Sequence, residues 1–287
     1  MKLSTSHFRG ARGDELFYQC WRSANPSGAV LVLVHGFSDH CNRYLNLVSG
    51  LVSRNITIFA FDQIGHGRSP GVRGHVDSFD NYREDLHQFM QFVAAKESGS
   101  FLFLMGHSMG GLIVLDYGLH YPEGLQGVIA SAPHLSDPPI SPILSRIARV
   151  LSGIWPTLTL EAGLEESGIS RDVSVVQEYQ DDPLVHGKGT PRLATELSAA
   201  VAATQANAAE FKPPLLIYHG SADKLTDPAA SQRFFDSVTA DNKRYISYDG
   251  GYHECHNDLH KERVAIDVGQ WIEEQVRIAS QQPQQQD

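Results

Sequence analysis

Three residues in this chain have the types and the spacing that acyl transfer requires. Ser108 stands in Gly106-His107-Ser108-Met109-Gly110, directly after the apolar run "FLFLM" and directly before "GLIVLDYGLHY". A serine between glycines on a sharp strand-to-helix turn is an exposed nucleophile. The small neighbours let the backbone bend without Cβ clashes and carry the hydroxyl to the sheet edge. The start of the following helix adds free N–H groups and a positive dipole end beside it. A hydroxyl is a weak nucleophile until a base takes its proton, and that base must be oriented by a third group. After a nucleophile of this kind the chain order is acid, then histidine. "PLLIYHGSADKLTDP" offers Asp223, three residues beyond a strand end, and "KRYISYDGGYHECHND" offers His253, just past the last strand-like run. Ser108 is read as the nucleophile, His253 as general base then acid, and Asp223 as the orienting carboxylate.

Neighbouring residues compete for these roles. Asp227 precedes Pro228 and reads as a helix cap; Asp249 lies beside two glycines and reads as a turn residue. His256 could replace His253, or start the following helix. A tetrahedral intermediate also needs N–H donors aimed at its oxyanion. The amide of Met109, next after the nucleophile, is one. The loop "VHGFSDH" after the first buried strand supplies the other at Phe37. His35, His66 and His107 read as makers of structural hydrogen bonds, with His107 also a neighbour of the site. Cys255, two residues from the base, either neighbours the site or fills a small buried space. His253, His256 and His260, with Cys255 and Asp258, have the chemistry of metal ligands. A zinc hydrolase would leave Ser108 without a role, so no metal is assigned.

The elements that must hold these residues are legible as apolar runs bounded by turn residues. They are "AVLVLVHG" (29–36), "NITIFAFD" (55–62), "FLFLMG" (101–106), "GVIASAP" (127–133) and "PLLIYHG" (214–220), with "KRYISYDGG" (243–251) a more polar sixth. Continuous rather than alternating apolar strands belong to parallel sheets buried on both faces. Helix-like stretches lie between them. In "SFDNYREDLHQFMQFVAAKE", Phe79, Tyr82, Leu86, Phe89, Met90 and Val93 fall at helical spacing, with Ser78 or Asp80 as caps. "DPAASQRFFDSV" starts with a first-turn proline. Alternating strand and helix predicts an α/β fold with a doubly wound, mostly parallel sheet.

That alternation stops over 134–212, which has no strong strand. The expectation is a helical cap or lid over the carboxyl edge of the sheet, inserted into a core made of 1–133 and 213–287. Within it "TPRLATELSAAVAATQANAAEF" reads as an Ala-rich helix. Ile143, Leu144, Ile147, Val150, Leu151, Ile154 and Trp155 form one apolar stripe. Two readings stay open for it. The stripe packs on the core, or part of it stays exposed, adsorbs to a micelle or membrane surface and admits acyl chains, with Leu151 and Trp155 near the site. The polar, Gln-rich end (280–287) is expected to be disordered.

Composition narrows the class. A chain of 287 residues with 41% hydrophobic and 20% charged residues is an ordinary globular protein. Its formal net charge of −10 is the wrong sign for nucleic acid, so no nucleic-acid partner is expected. Three cysteines make no disulfide framework, the first residues lack an apolar core of signal-peptide length, and no run is long enough to span a bilayer. A soluble, cytoplasmic protein is expected.

At these residues the chain resembles the monoacylglycerol lipase family of serine hydrolases, within the α/β-hydrolase superfamily. The matching stretches are "VHGFSDHCNRY", "FAFDQIGHGRSPG", "FLMGHSMGG", "QDDPLVH", "LIYHGSADKLTDP" and "YDGGYHECHND", which span about residues 30–260. The resemblance implies a capped hydrolase fold, an ester substrate with a fatty acyl chain, and no metal or organic cofactor. It puts Ser108, Asp223 and His253 on the family's triad, and the backbone amides of Phe37 and Met109 on its oxyanion hole. In the lid only "QDDPLVH" matches. The expected activity is hydrolysis of monoacylglycerols to fatty acid and glycerol through an acyl-enzyme on Ser108. The same triad would serve a general carboxylesterase or a lysophospholipase; a non-catalytic ligand-binding protein on a hydrolase fold is the alternative of another class.

Overall fold

The five apolar runs and their more polar sixth become the parallel part of one eight-stranded sheet. The computed structural model describes residues 1–137 and 141–281. Chain order opens with an antiparallel hairpin, β1 (Lys2–Arg9) and β2 (Glu15–Arg22), at one edge. Then follow β3 (Ala29–Val34), α1 (Leu45–Ser53), β4 (Thr57–Phe61), α2 (Asp80–Lys96), β5 (Phe101–His107), α3 (Met109–His120) and β6 (Leu125–Ser131). The spatial order is β1-β2-β4-β3-β5-β6 and then the two last strands described below, with β3 to β6 all parallel. From β3 the chain passes to β4 on one side and then crosses to β5 on the other. This reversal opens a crevice at the carboxyl ends of β3 and β5, where open α/β sheets bind ligands.

Every side chain of β3 is buried, and the strand's period of two splits them between two cores. Val30, Val32 and Val34 join the core formed with α2 and α3; Leu31 and Leu33 join the one formed with α1 and the last helix. This two-sided burial explains why the strand reads as a continuous apolar run.

Between β6 and the next long strand lie α4 (Pro142–Ile154), β7 (Leu160–Glu161), α5 (Val173–Asp181), β8 (Lys188–Gly189) and α6 (Pro191–Ala206). Serine and threonine caps start the two longer helices. Ser141 Oγ accepts from Leu144 N–H, and Thr190 Oγ1 accepts from Leu193 N–H. α4 packs on α6, while β7 and β8 pair antiparallel. α5 and this small ribbon were not expected from the sequence. The apolar stripe of α4 does not pack on the core. Ile143 is 69% exposed, Ile154 79% and Trp155 58%, and Leu151 is half-buried.

The chain then returns with β9 (Leu215–Gly220), α7 (Pro228–Ser237), β10 (Lys243–Tyr248) and α8 (Lys261–Gln281). β9 pairs in parallel with β6, and β10 with β9. Asp227 caps α7, as expected. Two expectations need correction. His256 does not start α8, because a buried turn precedes the helix. Ser280 and Gln281 still belong to α8, and the rest of the expected disordered tail, 282–287, lies outside the described residues.

Candidate active site

β5 delivers Ser108 to the crevice in a strained backbone conformation, φ 55° and ψ −118°. Among the described residues four non-glycines have positive φ, and three of them, Ser38, Ser108 and Ala132, follow β3, β5 and β6 at this one edge. Such strain persists only where the surroundings over-determine it. Ser108 N–H donates to Ser131 O at 2.9 Å, and Ser108 O accepts from His134 N–H at 3.0 Å and Leu112 N–H at 3.1 Å. The flanking glycines are required by close approach. A Cβ on Gly106 would stand 2.0 Å from Gly110 O, and one on Gly110 would stand 2.3 Å from Val34 O.

The other expected residues converge on Ser108. Gly36 lies so close that a Cβ there would be 3.2 Å from Ser108 Cβ, which brings Phe37 to the same spot. Neither the Phe37 nor the Met109 amide donates to a protein acceptor among the described residues. His253 Nδ1 lies 2.7 Å from Asp223 Oδ2. Asp223 Oδ1 accepts from Leu225 N–H at 2.7 Å and Thr226 N–H at 3.1 Å, while Thr226 Oγ1 reaches Oδ2 at 2.9 Å. Burial opposes ionisation of Asp223, but His253 and His219 hold its carboxyl well below the usual carboxylate range. Burial likewise disfavours protonated His253, and the Asp223 charge and hydrogen bond outweigh it, so the pKa of His253 is raised. Ser108 and His253 line one cavity of about 40 Å³ with Gly36, Phe37, Asp39, Tyr179 and Glu254. Its apolar side is Leu164, Ile169 and Leu225.

The polar wall is a buried network. Arg43 Nη2 donates to Glu254 Oε2 at 2.8 Å and Oε1 at 3.1 Å. Arg43 Nε lies 3.2 Å from Asp39 Oδ1 but off the hydrogen-bond line, so that contact is Coulombic. The guanidinium stands over Tyr179 at 4.6 Å. Tyr44 Oη donates to Asp39 Oδ2 at 2.7 Å and accepts from Gly36 N–H at 3.3 Å.

Residues 25–260 match the sequence profile of a hydrolase family described as serine aminopeptidase, S33. The chain is 32% identical over 271 residues to the monoacylglycerol lipase of Mycolicibacterium smegmatis, covering 94% of this chain and 96% of that protein. The monoacylglycerol lipase of Paleococcus ferrophilus superposes with a TM-score of 0.82 at 30% identity, covering 96% of this chain and all of that one. The chain belongs to the monoacylglycerol lipase family. A soluble variant of the Saccharomyces cerevisiae monoglyceride lipase, bound to a substrate analogue, gives a TM-score of 0.84 at 26% identity over 96% of this chain and 95% of that one. The α/β-hydrolase fold follows, and with it the class of carboxylic ester hydrolases.

The remaining expectations divide. His107 lines the cavity. It is buried, with Nδ1 3.1 Å from Ser131 Oγ and its ring 4.6 Å from that of His253. Burial pushes its pKa well below the usual histidine value. His35 Nδ1 meets Gly36 O at 2.7 Å and His66 Nδ1 meets Ile64 O at 3.0 Å, both loop-holding contacts. Cys255 is not on the cavity wall. It is wholly buried, its Sγ donates to Tyr252 O at 3.3 Å, and burial pushes its thiol pKa up. Leu151 and Trp155 do not line the cavity either, since the stripe of α4 faces outward. The three histidines after β10 turn to different partners. His253 meets Asp223, His256 stacks on Tyr44 at 4.8 Å, and His260 Nε2 donates to Asp249 O.

Residue-by-residue reading missed Asp39, Arg43, Tyr179, His219, Thr226 and Glu254. A signal for all six existed, because "VHGFSDHCNRY", "QDDPLVH", "LIYHGSADKLTDP" and "YDGGYHECHND" hold or adjoin them and were already the stretches that matched.

Proposed function

We propose that the protein cleaves monoacylglycerols, with Ser108 attacking the ester carbonyl and His253 taking its proton. The 2.7 Å contact of His253 Nδ1 with Asp223 Oδ2 carries this reading. It makes Nδ1 the protonated nitrogen and leaves Nε2 free to accept. The oxyanion then forms beside the unpartnered amides of Phe37 and Met109. His253 returns the proton to the departing glycerol oxygen, an acyl-enzyme on Ser108 remains, and water enters with His253 again as base.

The cavity wall favours a polyol leaving group. Asp39, Glu254 and the Tyr179 hydroxyl offer hydrogen-bonding partners to hydroxyls beside the scissile bond. Leu164, Ile169 and Leu225 offer an apolar side for the first acyl carbons. The segment 134–212 acts as a lid, and the outward stripe of α4 rests on the lipid surface that supplies substrate. Among the described residues no helix is long and apolar enough to cross a membrane, which fits reversible adsorption. Three free, buried cysteines fit a reducing, cytoplasmic compartment.

The test is release of fatty acid from 1-monooleoylglycerol, alongside p-nitrophenyl butyrate, lysophosphatidylcholine and leucine p-nitroanilide. Monooleoylglycerol should be turned over with the highest kcat/KM. Preference for the short ester would make the protein a general esterase. Preference for the lysophospholipid or the anilide would replace the proposed substrate outright.

A further inference from the structure

β9 ends at His219-Gly220, and this histidine is wholly buried beneath the loop that carries Asp223. Its Nε2 lies 2.9 Å from Asp223 Oδ2, the same oxygen that His253 Nδ1 approaches at 2.7 Å. On its other side Nδ1 lies 2.9 Å from Ser231 Oγ, a fully buried hydroxyl on α7. The two partners fix the tautomer of neutral His219. A carboxylate oxygen can only accept, so Nε2 carries the proton, and Nδ1 accepts from the Ser231 hydroxyl. His219 thereby places its proton on the same oxygen that faces His253.

We propose that His219 is a positioning residue for the hydrolysis: its Nε2–H holds Asp223 Oδ2 in place and draws off part of the charge that this oxygen presents to His253. The inference rests on the roles given above to Asp223 and His253. Two donors on one oxygen compete. When one is lost, the other feels a stronger acceptor, and protonated His253 is stabilised. His253 is also faced by His107 from β5, Asp39 from the loop after β3, His134 from the loop after β6, and Glu254 and His256 on its own loop. None of these touches His219, so a change there reaches His253 through Asp223 and the Thr226 hydroxyl bound to it, which lies 3.2 Å from His219 Nε2 and 3.3 Å from His253 Nδ1.

The experiment uses the full chain with 1-monooleoylglycerol and compares His219→Leu, His219→Gln and Ser231→Ala with the unsubstituted protein. Readouts are kcat, KM, the acidic limb of kcat/KM and the thermal midpoint. In His219→Leu kcat should fall by about tenfold, the scale of one hydrogen bond to a charged group. KM should stay within about twofold, because His219 does not line the cavity. The acidic limb should move up by roughly half a pH unit. His219→Gln returns an N–H donor and should recover most of kcat and the original limb. Ser231→Ala weakens the Nε2–H as a donor, so its limb should move the same way by less; it also tests the idea if His219→Leu does not fold. The proposal fails if the limb stays fixed in all three, or if activity falls only in step with thermal stability. It also fails if glutamine behaves as leucine does. Asp223→Ala and His253→Ala separate the two levels. If they remain active, the triad assignment falls first. If they are inactive while His219→Leu matches the unsubstituted protein, only the role of His219 is lost.

Discussion

At Asp223 five donors converge on one carboxylate: the amides of Leu225 and Thr226, the Thr226 hydroxyl, His219 Nε2 and His253 Nδ1. An ionised carboxylate suits all five, whereas an amide would set an N–H against donors or free the wrong tautomer of His253. Asp223→Asn should therefore lower kcat by roughly 10⁴, the loss seen when a Ser-His-Asp triad loses only its carboxylate charge, while KM changes little. A loss under tenfold in a stopped assay would assign the orienting role elsewhere. The pH dependence follows from His253. Its pKa is raised, and only the neutral imidazole can accept the serine proton. Activity should fall as pH drops through a value above the ordinary ~6.5 of histidine. A kcat/KM profile flat down to pH 5 would contradict a histidine base. Ser108, Asp223 and His253, the proposed triad, could be singled out because each follows a strand end within a few residues. Arg43 was not assigned, since its partner Glu254 lies 211 residues away and the pairing depends on how two loops meet across the sheet.

At the scale of elements, the elbow and α4 make separate predictions. Gly106 and Gly110 are held against backbone oxygens, so neither can move aside for a methyl group. Gly110→Ala should unfold at markedly lower denaturant, by about 3 kcal/mol or more, and lose activity with it. An unchanged midpoint would mean that the β3–α3 contact is looser than described. α4 points its apolar stripe outward, so polar substitution there costs little stability. Trp155→Ser together with Ile147→Ser should weaken binding to liposomes while leaving turnover of short soluble esters intact. If stability falls instead and liposome binding does not, the stripe has a packing role. The parallel strands read clearly because burial on both faces erases alternation. β1 did not, because all but one of its residues are exposed and its sequence "KLSTSHFR" is mostly polar. α5 escaped notice for another reason: its "VSVV" start favours a strand, and packing of Val175 and Tyr179 decides for helix.

For the whole molecule, the site depends on loops from separate elements meeting over one crevice. Arg43 ties the loop after β3, which carries Phe37, to the loop after β10, which carries His253. Arg43→Met should cost about 3–5 kcal/mol, because Asp39 and Glu254 are left as buried, uncompensated carboxylates. Adding Glu254→Gln should restore part of that loss in denaturant melts; simple additivity would mean that the two side chains do not act as a pair. The loop after β10 is in turn knitted to the segment before α5, where Glu254 N–H donates to Ile169 O at 2.8 Å and Arg171 Nε donates to Asp258 Oδ2 at 2.9 Å. His253 and the polar wall thus share one support. The central claim is an acyl-enzyme on Ser108, and acid-quenched turnover of 1-monooleoylglycerol followed by peptide mass spectrometry tests it most directly. The account predicts a transient oleoyl adduct on the peptide containing Ser108, with fatty acid and glycerol released, and neither adduct nor release in Ser108→Ala. Undiminished release of fatty acid by Ser108→Ala, or an adduct on another residue, would contradict it.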